Sequence, residues 1–369
     1  MISEPTEEDE RYLKEQVLTY IGTKRHLLPF LAEGVRAVQQ RLGKEKMCCY
    51  DAFSGSGIVS RFLKRFSSCL YSNDLEAYAA VLNRCYLANR EEVSKADLPT
   101  LRRIFEQRLQ EMWAPGILAD DYAPQRDDAI AAGERVFYTH RNAVYLDTAR
   151  RIIDTLPAET RPFFLAPLLY EASVHTNTSG VFKGFYKNEA GIGQFGGRAE
   201  NALSRIKADI RLPLPVFSRF DCDCHVLQGD AAQSAAQLPE LDLAYLDPPY
   251  NQHPYGSNYF MLNLLLEYQK PEKVSRISGI PTDWKRSAYN KRSSVRPALD
   301  ALLCALPARF CLVSYNSEGY VTPQEMQELL SRHGRVTTLQ QEYATFRGCR
   351  NLHARALHVR EYLYILEKR

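Results

Sequence analysis

The chain has 369 residues, enough for one large core or two modest ones. Its 47 Lys and Arg against 44 Asp and Glu leave a formal charge of +3, so affinity for nucleic acid must come from local basic patches rather than the whole surface. No apolar stretch approaches membrane-spanning length, and the acidic start Met1–Glu15 lacks the basic and apolar segments of a secretion signal; with nine cysteines, most of them in apolar runs, a soluble cytoplasmic protein with reduced thiols is expected.

Tyr20-Ile21-Gly22-Thr23-Lys24 precedes a helical pattern in which Leu27, Leu28, Leu31, Val35, Val38 and Leu42 share one face, with Gly43 as its stop. Met47 to Phe53 reads as a buried strand, followed by a Gly/Ser turn and a helix from Ile58 to Phe66. A second strand, Cys69 to Ser72, reaches Asn73-Asp74 and feeds a helix that runs through Ala88. This alternation predicts the first half of a Rossmann-like, doubly wound α/β sheet. From Glu91 the alternation gives way to helical segments, Leu101 to Trp113, Arg141 to Leu156 and Phe163 to Val174, and then to a glycine-rich loop, Thr176 to Arg198. We read 91–217 as an inserted, mainly helical region interrupting a catalytic domain made of 1–90 and 218–369. Strands resume at Cys224 to Leu227, Leu241 to Leu246 and Arg309 to Tyr315, and Val336 to Thr345 with Ala356 to Leu366 predict a closing antiparallel pair.

The sharpest chemical signal is Asp247-Pro248-Pro249-Tyr250, directly after the strand at 241–246. Ligands of open α/β sheets bind at the carboxyl ends of strands. Consecutive prolines fix the backbone and expose carbonyls without amide donors of their own. Asp247 and the Pro248 carbonyl could accept the two hydrogens of an exocyclic base amine, favouring the tetrahedral nitrogen that attacks a methyl group. Tyr250 would stack on a base withdrawn from its duplex.

The turn Asp51-Ala52-Phe53-Ser54-Gly55-Ser56-Gly57 is a second, weaker signal, because glycines let a ligand approach the backbone at a strand-to-helix turn. Ser60 breaks the GxGxxG fingerprint, which disfavours a pyrophosphate ligand. Asp74, ending the next strand, is placed to bind ribose hydroxyls. Asp230, after Gly229, either borders the adenine of a nucleoside or caps a helix, and Lys24 either approaches a bound carboxylate or is simply solvated. Cys222, Cys224 and His225 do not have the spacing of a zinc site, so no metal is expected.

The succession of Tyr-Ile-Gly-Thr-Lys, Phe-Ser-Gly-Ser-Gly, Asn-Asp, an inserted region, Gly-Asp and Asp-Pro-Pro-Tyr resembles the Dam-like DNA adenine methyltransferases over nearly the whole chain. The resemblance implies S-adenosylmethionine as cofactor, held by the early motif (Tyr20, Gly22, Lys24), the turn (Asp51, Phe53, Ser54, Gly55, Gly57), Asp74 and Asp230. It gives the flipped adenine to Asp247 and Tyr250, with Pro248 and Pro249 completing the catalytic motif, and target recognition to the insertion. Asn177 through Phe185 is similar to a DNA-contacting hairpin of that family, which points to Asn177, Lys183 and Lys187. Tyr343 through Asn351 resembles a late segment of restriction-associated members and carries Arg347 and Arg350. The basic stretch after the catalytic motif supplies Lys285, Arg286, Lys291 and Arg292 for phosphates. Duplex DNA is the expected substrate, a cognate restriction endonuclease an expected partner of the system, and either a monomer or a dimer would serve. Cytosine-N4 and RNA adenine methylation, and a catalytically silent DNA-binding module, are the competing readings.

Overall fold

In β1 (Met47–Asp51), Met47, Cys49, Tyr50 and Asp51 all have no solvent exposure, as expected of a strand covered on both faces. The computed structural model describes residues 7–197, 200, 202–252, 254–344 and 358–369. With β2 (Ser67–Asp74), β3 (Asp223–Gln228), β4 (Leu241–Leu246), β5 (Ala308–Asn316), β6 (Gly334–Ala344) and β7 (His358–Lys368), β1 builds a seven-stranded sheet of order β3-β2-β1-β4-β5-β7-β6. The first five strands are parallel, and β7 runs antiparallel to both β5 and β6. The doubly wound fold with a closing antiparallel pair is therefore present as expected. Strand ends shift by one or a few residues from the sequence reading; β1, for instance, stops at Asp51 because Ala52 already begins the turn.

The period-two alternation of the strands sorts their side chains into two layers. Cys49, Leu243, Tyr245, Phe310, Leu312, Leu363 and Ile365 pack against the helices Leu28–Leu42 and Ile58–Lys64. On the other face, Tyr50, Ala244, Leu246, Cys311, Val313 and Leu366 meet the helices Ala231–Ala235, Val295–Ala305 and Pro323–Ser331. Between β2 and β3 the chain forms helices, among them Leu98–Glu111, His140–Asp154 and Pro162–Val174. Their apolar faces share one core with the helices Ala77–Tyr86 and Phe260–Glu267, so the region seats directly on the sheet-bearing part of the chain.

The chain leaves β1 toward β2 and β3 on one side and returns to place β4 on the other. Such a reversal opens a crevice at the carboxyl ends of the two central strands. The Ala52 amide donates to the Tyr245 carbonyl at 3.1 Å, so the turn after β1 and the loop after β4 leave the sheet side by side.

Leu363 lies fully buried between the sheet and the helix Leu28–Leu42, where the absence of a side chain at Gly34 admits its Cδ2. Leu363→Ala is expected to cost about 3 kcal/mol in a denaturant titration, the usual penalty for a buried leucine that leaves a cavity. A loss below about 1 kcal/mol would contradict this packing.

Candidate active site

A cavity of about 210 Å³ occupies that crevice, walled by the turn after β1, the ends of β2 and β3, the loop after β4 and the segment 285–290. The turn is organised by β2. Gly55 adopts φ +51° and its amide donates to Asp74 Oδ2 at 2.8 Å, while a Cβ there would stand 2.9 Å from the Tyr20 ring. Asp74 Oδ1 accepts from the Glu76 amide at 2.9 Å. Asn73 ties the neighbouring strand ends together, its Nδ2 donating to the carbonyls of Ala52 and Gly229 at 3.2 Å each. Glu76 lines the cavity although only 3% exposed; its Oε2 accepts from Asn263 at 2.7 Å, and burial pushes its carboxyl up to about 7. Asp230 caps the helix Ala231–Ala235 through the amides of Ala232 and Gln233, one of its two sequence readings, and its side of the chain also lines the cavity.

The segment 20–24 is pressed against the cavity by aromatic packing. Tyr20 stacks on Tyr255 and Tyr259 with ring centroids 5.1 and 4.9 Å away, and the Tyr259 hydroxyl accepts from the Ile21 amide at 2.8 Å. This delivers Lys24, 5% exposed, to the catalytic motif, where its Nζ lies 2.9 Å from Asp247 Oδ1 and 3.4 Å from Glu361 Oε1 on β7. Burial opposes the charge on Lys24, but the two carboxylates outweigh it and hold the ammonium well above its ordinary range. Asp247 is pushed up to about 6, chiefly by burial, with Lys24 drawing it down and Glu361 raising it. Tyr250 is held edge-on against Tyr315 with centroids 6.4 Å apart, and its carbonyl accepts from the Tyr320 amide at 3.1 Å. Pro248 is buried and Pro249 lines the cavity.

Tyr20, Gly22, Lys24, Phe53, Ser54, Gly55, Asp74, Asp230, Asp247 and Pro249 thus come together on one cavity. Several sequence assignments need correction. Asp51 lies beneath the cavity with no exposure, accepting from Ser60 Oγ at 2.6 Å. Gly57 serves the turn itself: at φ +78° its amide donates to Ser54, and a Cβ would meet Asn83. Asn177 is fully buried, donating to the carbonyls of Val136 and Gln194 and accepting from Gly196, so it secures the base of a loop and has no face for DNA. Lys285 and Arg286, expected at phosphates, are exposed and also line the cavity, which leaves that expectation open, with the Lys285 ammonium 3.2 Å from the Leu75 carbonyl. Lys183, Lys291 and Arg292 are exposed, and Lys187 opens a short hairpin through its antiparallel bridge to Gly193. Arg347 and Arg350 lie outside the described residues.

Sequence reasoning missed Glu76, Tyr245, Tyr255 and Glu361. Glu76, two residues past Asp74, had a locatable signal in its place beyond a strand end; Glu361 had none, because only the pairing of β7 with β5 brings it inward. Among the described residues, one group has metal-ligand types close together, Cys69, Asp223 and His225 with donor atoms within 4.8 Å of one another; it lies on the outer strands β2 and β3, not in the cavity. No helix among the described residues is long and apolar enough to cross a membrane.

A doubly wound sheet with an acid-tipped glycine turn and Asp-Pro-Pro-Tyr at its switch point defines a class, and the chain belongs to it: the D12 class N6 adenine-specific DNA methyltransferases, matched over residues 20–294. It is accordingly an adenine-specific DNA methyltransferase, which sets aside the cytosine, RNA and silent-module readings. It is 30% identical over 361 residues to the type II methyltransferase M.NlaIII of Neisseria lactamica, covering 95% of this chain and 99% of that one. It is 27% identical to the type II methyltransferase M.CviAII of Paramecium bursaria Chlorella virus 1, covering 94% and 97%. To the type II methyltransferase M.FokI of Planomicrobium okeanokoites it is 25% identical, but it spans only 53% of that protein.

Asn177→Ala is expected to destabilise the fold by about 2 kcal/mol, because three backbone groups lose their partner. The salt dependence of DNA binding, measured by fluorescence anisotropy, should stay unchanged; a shallower slope would restore Asn177 to the DNA interface.

Proposed function

We propose that the protein transfers a methyl group from S-adenosylmethionine to N6 of an adenine withdrawn from duplex DNA, with the turn 52–56 and the end of β2 taking the cofactor and Asp247 to Tyr250 taking the base. The observation that carries this reading is the adjacency of the two loops, joined at Ala52 and Tyr245 and opening on one cavity. When bound, S-adenosylmethionine supplies an electrophilic methyl group and a neutral thioether leaving group. The residues present fit it. Asp74 and Glu76 offer carboxylate oxygens at the wall where ribose hydroxyls would lie, and Asp230 borders the same space.

The remaining work falls to the chain. Asp247 and the Pro248 carbonyl accept the two amine hydrogens, directing the nitrogen lone pair into the cavity. Tyr250 stacks on the extruded purine. As the new N–C bond forms, one amine proton is surplus, and the Asp247 carboxylate is the acceptor at hand. Lys24, given to the cofactor by family resemblance, is instead bonded to Asp247, which supports a role in fixing that carboxylate. Lys183, Lys187, Lys291 and Arg292 would meet phosphates, and 91–217 would read the target while 1–90 and 218–369 catalyse. Likeness to type II methyltransferases supports a cognate restriction endonuclease as partner of the system.

Asp247→Asn is expected to lower the single-turnover methylation rate by about 100-fold or more while cofactor affinity holds. Retention of the wild-type rate, followed as N6-methyladenine by nucleoside mass spectrometry, would remove Asp247 from the chemistry. Since the ionised carboxylate is the working form and its pKa is raised to about 6, the wild-type rate should fall as pH drops through about 6. A rate flat from about pH 7 to pH 5 would contradict that assignment.

A further inference from the structure

The catalytic motif holds one ammonium between two carboxylates, and the second has no part in the mechanism above. Glu361 is fully buried on β7, opposite Asn316 of β5. Its Oε1 lies 3.4 Å from Lys24 Nζ and accepts from Ser314 Oγ at 2.5 Å. An Asp–Lys pair standing alone would be close to neutral, and a carboxylate so neutralised is a poor proton acceptor. A second carboxylate oxygen 3.4 Å from the same ammonium competes with Asp247 for it.

We infer that Glu361 is a positioning residue for methyl transfer: by sharing Lys24 with Asp247, it keeps one oxygen of Asp247 free and basic enough to take the amine proton. The inference rests on the reading of Asp247 as proton acceptor. Glu361 acts through Lys24, whose Nζ lies 2.9 Å from Asp247 Oδ1 and 3.4 Å from Glu361 Oε1. Among the described residues, the other titratable groups that face Asp247 are Tyr245 on β4, Tyr250 in its own loop, Tyr255 from the following helix and Asp51 on β1. Asp51 is itself pushed up to about 7, mainly by burial, but β4 and β5 stand between β1 and β7. An acid limb owned by Asp51 would therefore stay in place when Glu361 is changed.

The test uses the full-length enzyme with Glu361→Gln, which keeps an acceptor for Ser314, and Glu361→Asp, which withdraws the carboxylate from Lys24. Single-turnover rates on a duplex substrate are measured from about pH 5 to pH 8, with cofactor affinity and the fluorescence of 2-aminopurine at the target position as checks on folding and base extrusion. For Glu361→Gln the plateau rate is expected to fall about tenfold and the acid limb to move down by about half a pH unit, with cofactor affinity within about twofold of wild type. Glu361→Asp should shift both in the same direction by less. A wild-type plateau and limb in either folded variant overturns the inference, because the contact at 3.4 Å would then be immaterial. Asp247→Asn is run alongside: if it stays active, the reading of Asp247 itself has failed, whereas an inactive Asp247→Asn beside a wild-type Glu361→Gln removes Glu361 alone.

Discussion

An ammonium taken out of water needs anionic partners, and their placement constrains everything around it. Lys24 is 5% exposed, and the carboxylates that compensate it come from the loop after β4 and from β7, far apart in sequence. The segment before the helix Leu28–Leu42, the loop after β4 and the closing strand must therefore converge on one point. Tyrosine packing at 20, 255 and 259 delivers the lysine, and the pairing of β7 with β5 delivers Glu361. The antiparallel end of the sheet thus belongs to the site as much as the parallel core does.

The rest of the site follows from the strand order. Because the chain reverses direction across the sheet between β1 and β4, two loops with different tasks open onto the same crevice. One side is furnished with carboxylates at the end of β2 and a glycine turn held by Asp74; the other with a rigid Pro-Pro backbone and the Lys24–Asp247 pair. On the proposed assignment, methyl donor and acceptor amine meet without either loop moving far, which is how a transfer reaction gains from preorganisation.

Much of this was legible in the sequence because its signals are local. Apolar runs of strand length, a glycine turn after the first and Asp-Pro-Pro-Tyr after the fourth locate the sheet and its switch point without tertiary information. Where the reading failed, side-chain direction decided. Asp51 and Gly57 flank the turn, yet one points beneath it and the other toward Asn83. Asn177 sits in a segment rich in glycine and basic residues, but its amide has the donors and acceptor to close a loop, and burial selects that use. Glu361 could not be singled out, since an acid within an apolar strand carries no mark of the partner a distant loop will bring.

The most direct test is a crystal structure of the protein with S-adenosylhomocysteine. The account predicts the ribose hydroxyls within hydrogen-bonding distance of Asp74 or Glu76 and the sulfur facing Pro249, with Lys24 still paired to Asp247. A nucleoside bound outside the crevice, or a ligand carboxylate that takes Lys24 away from Asp247, would contradict it.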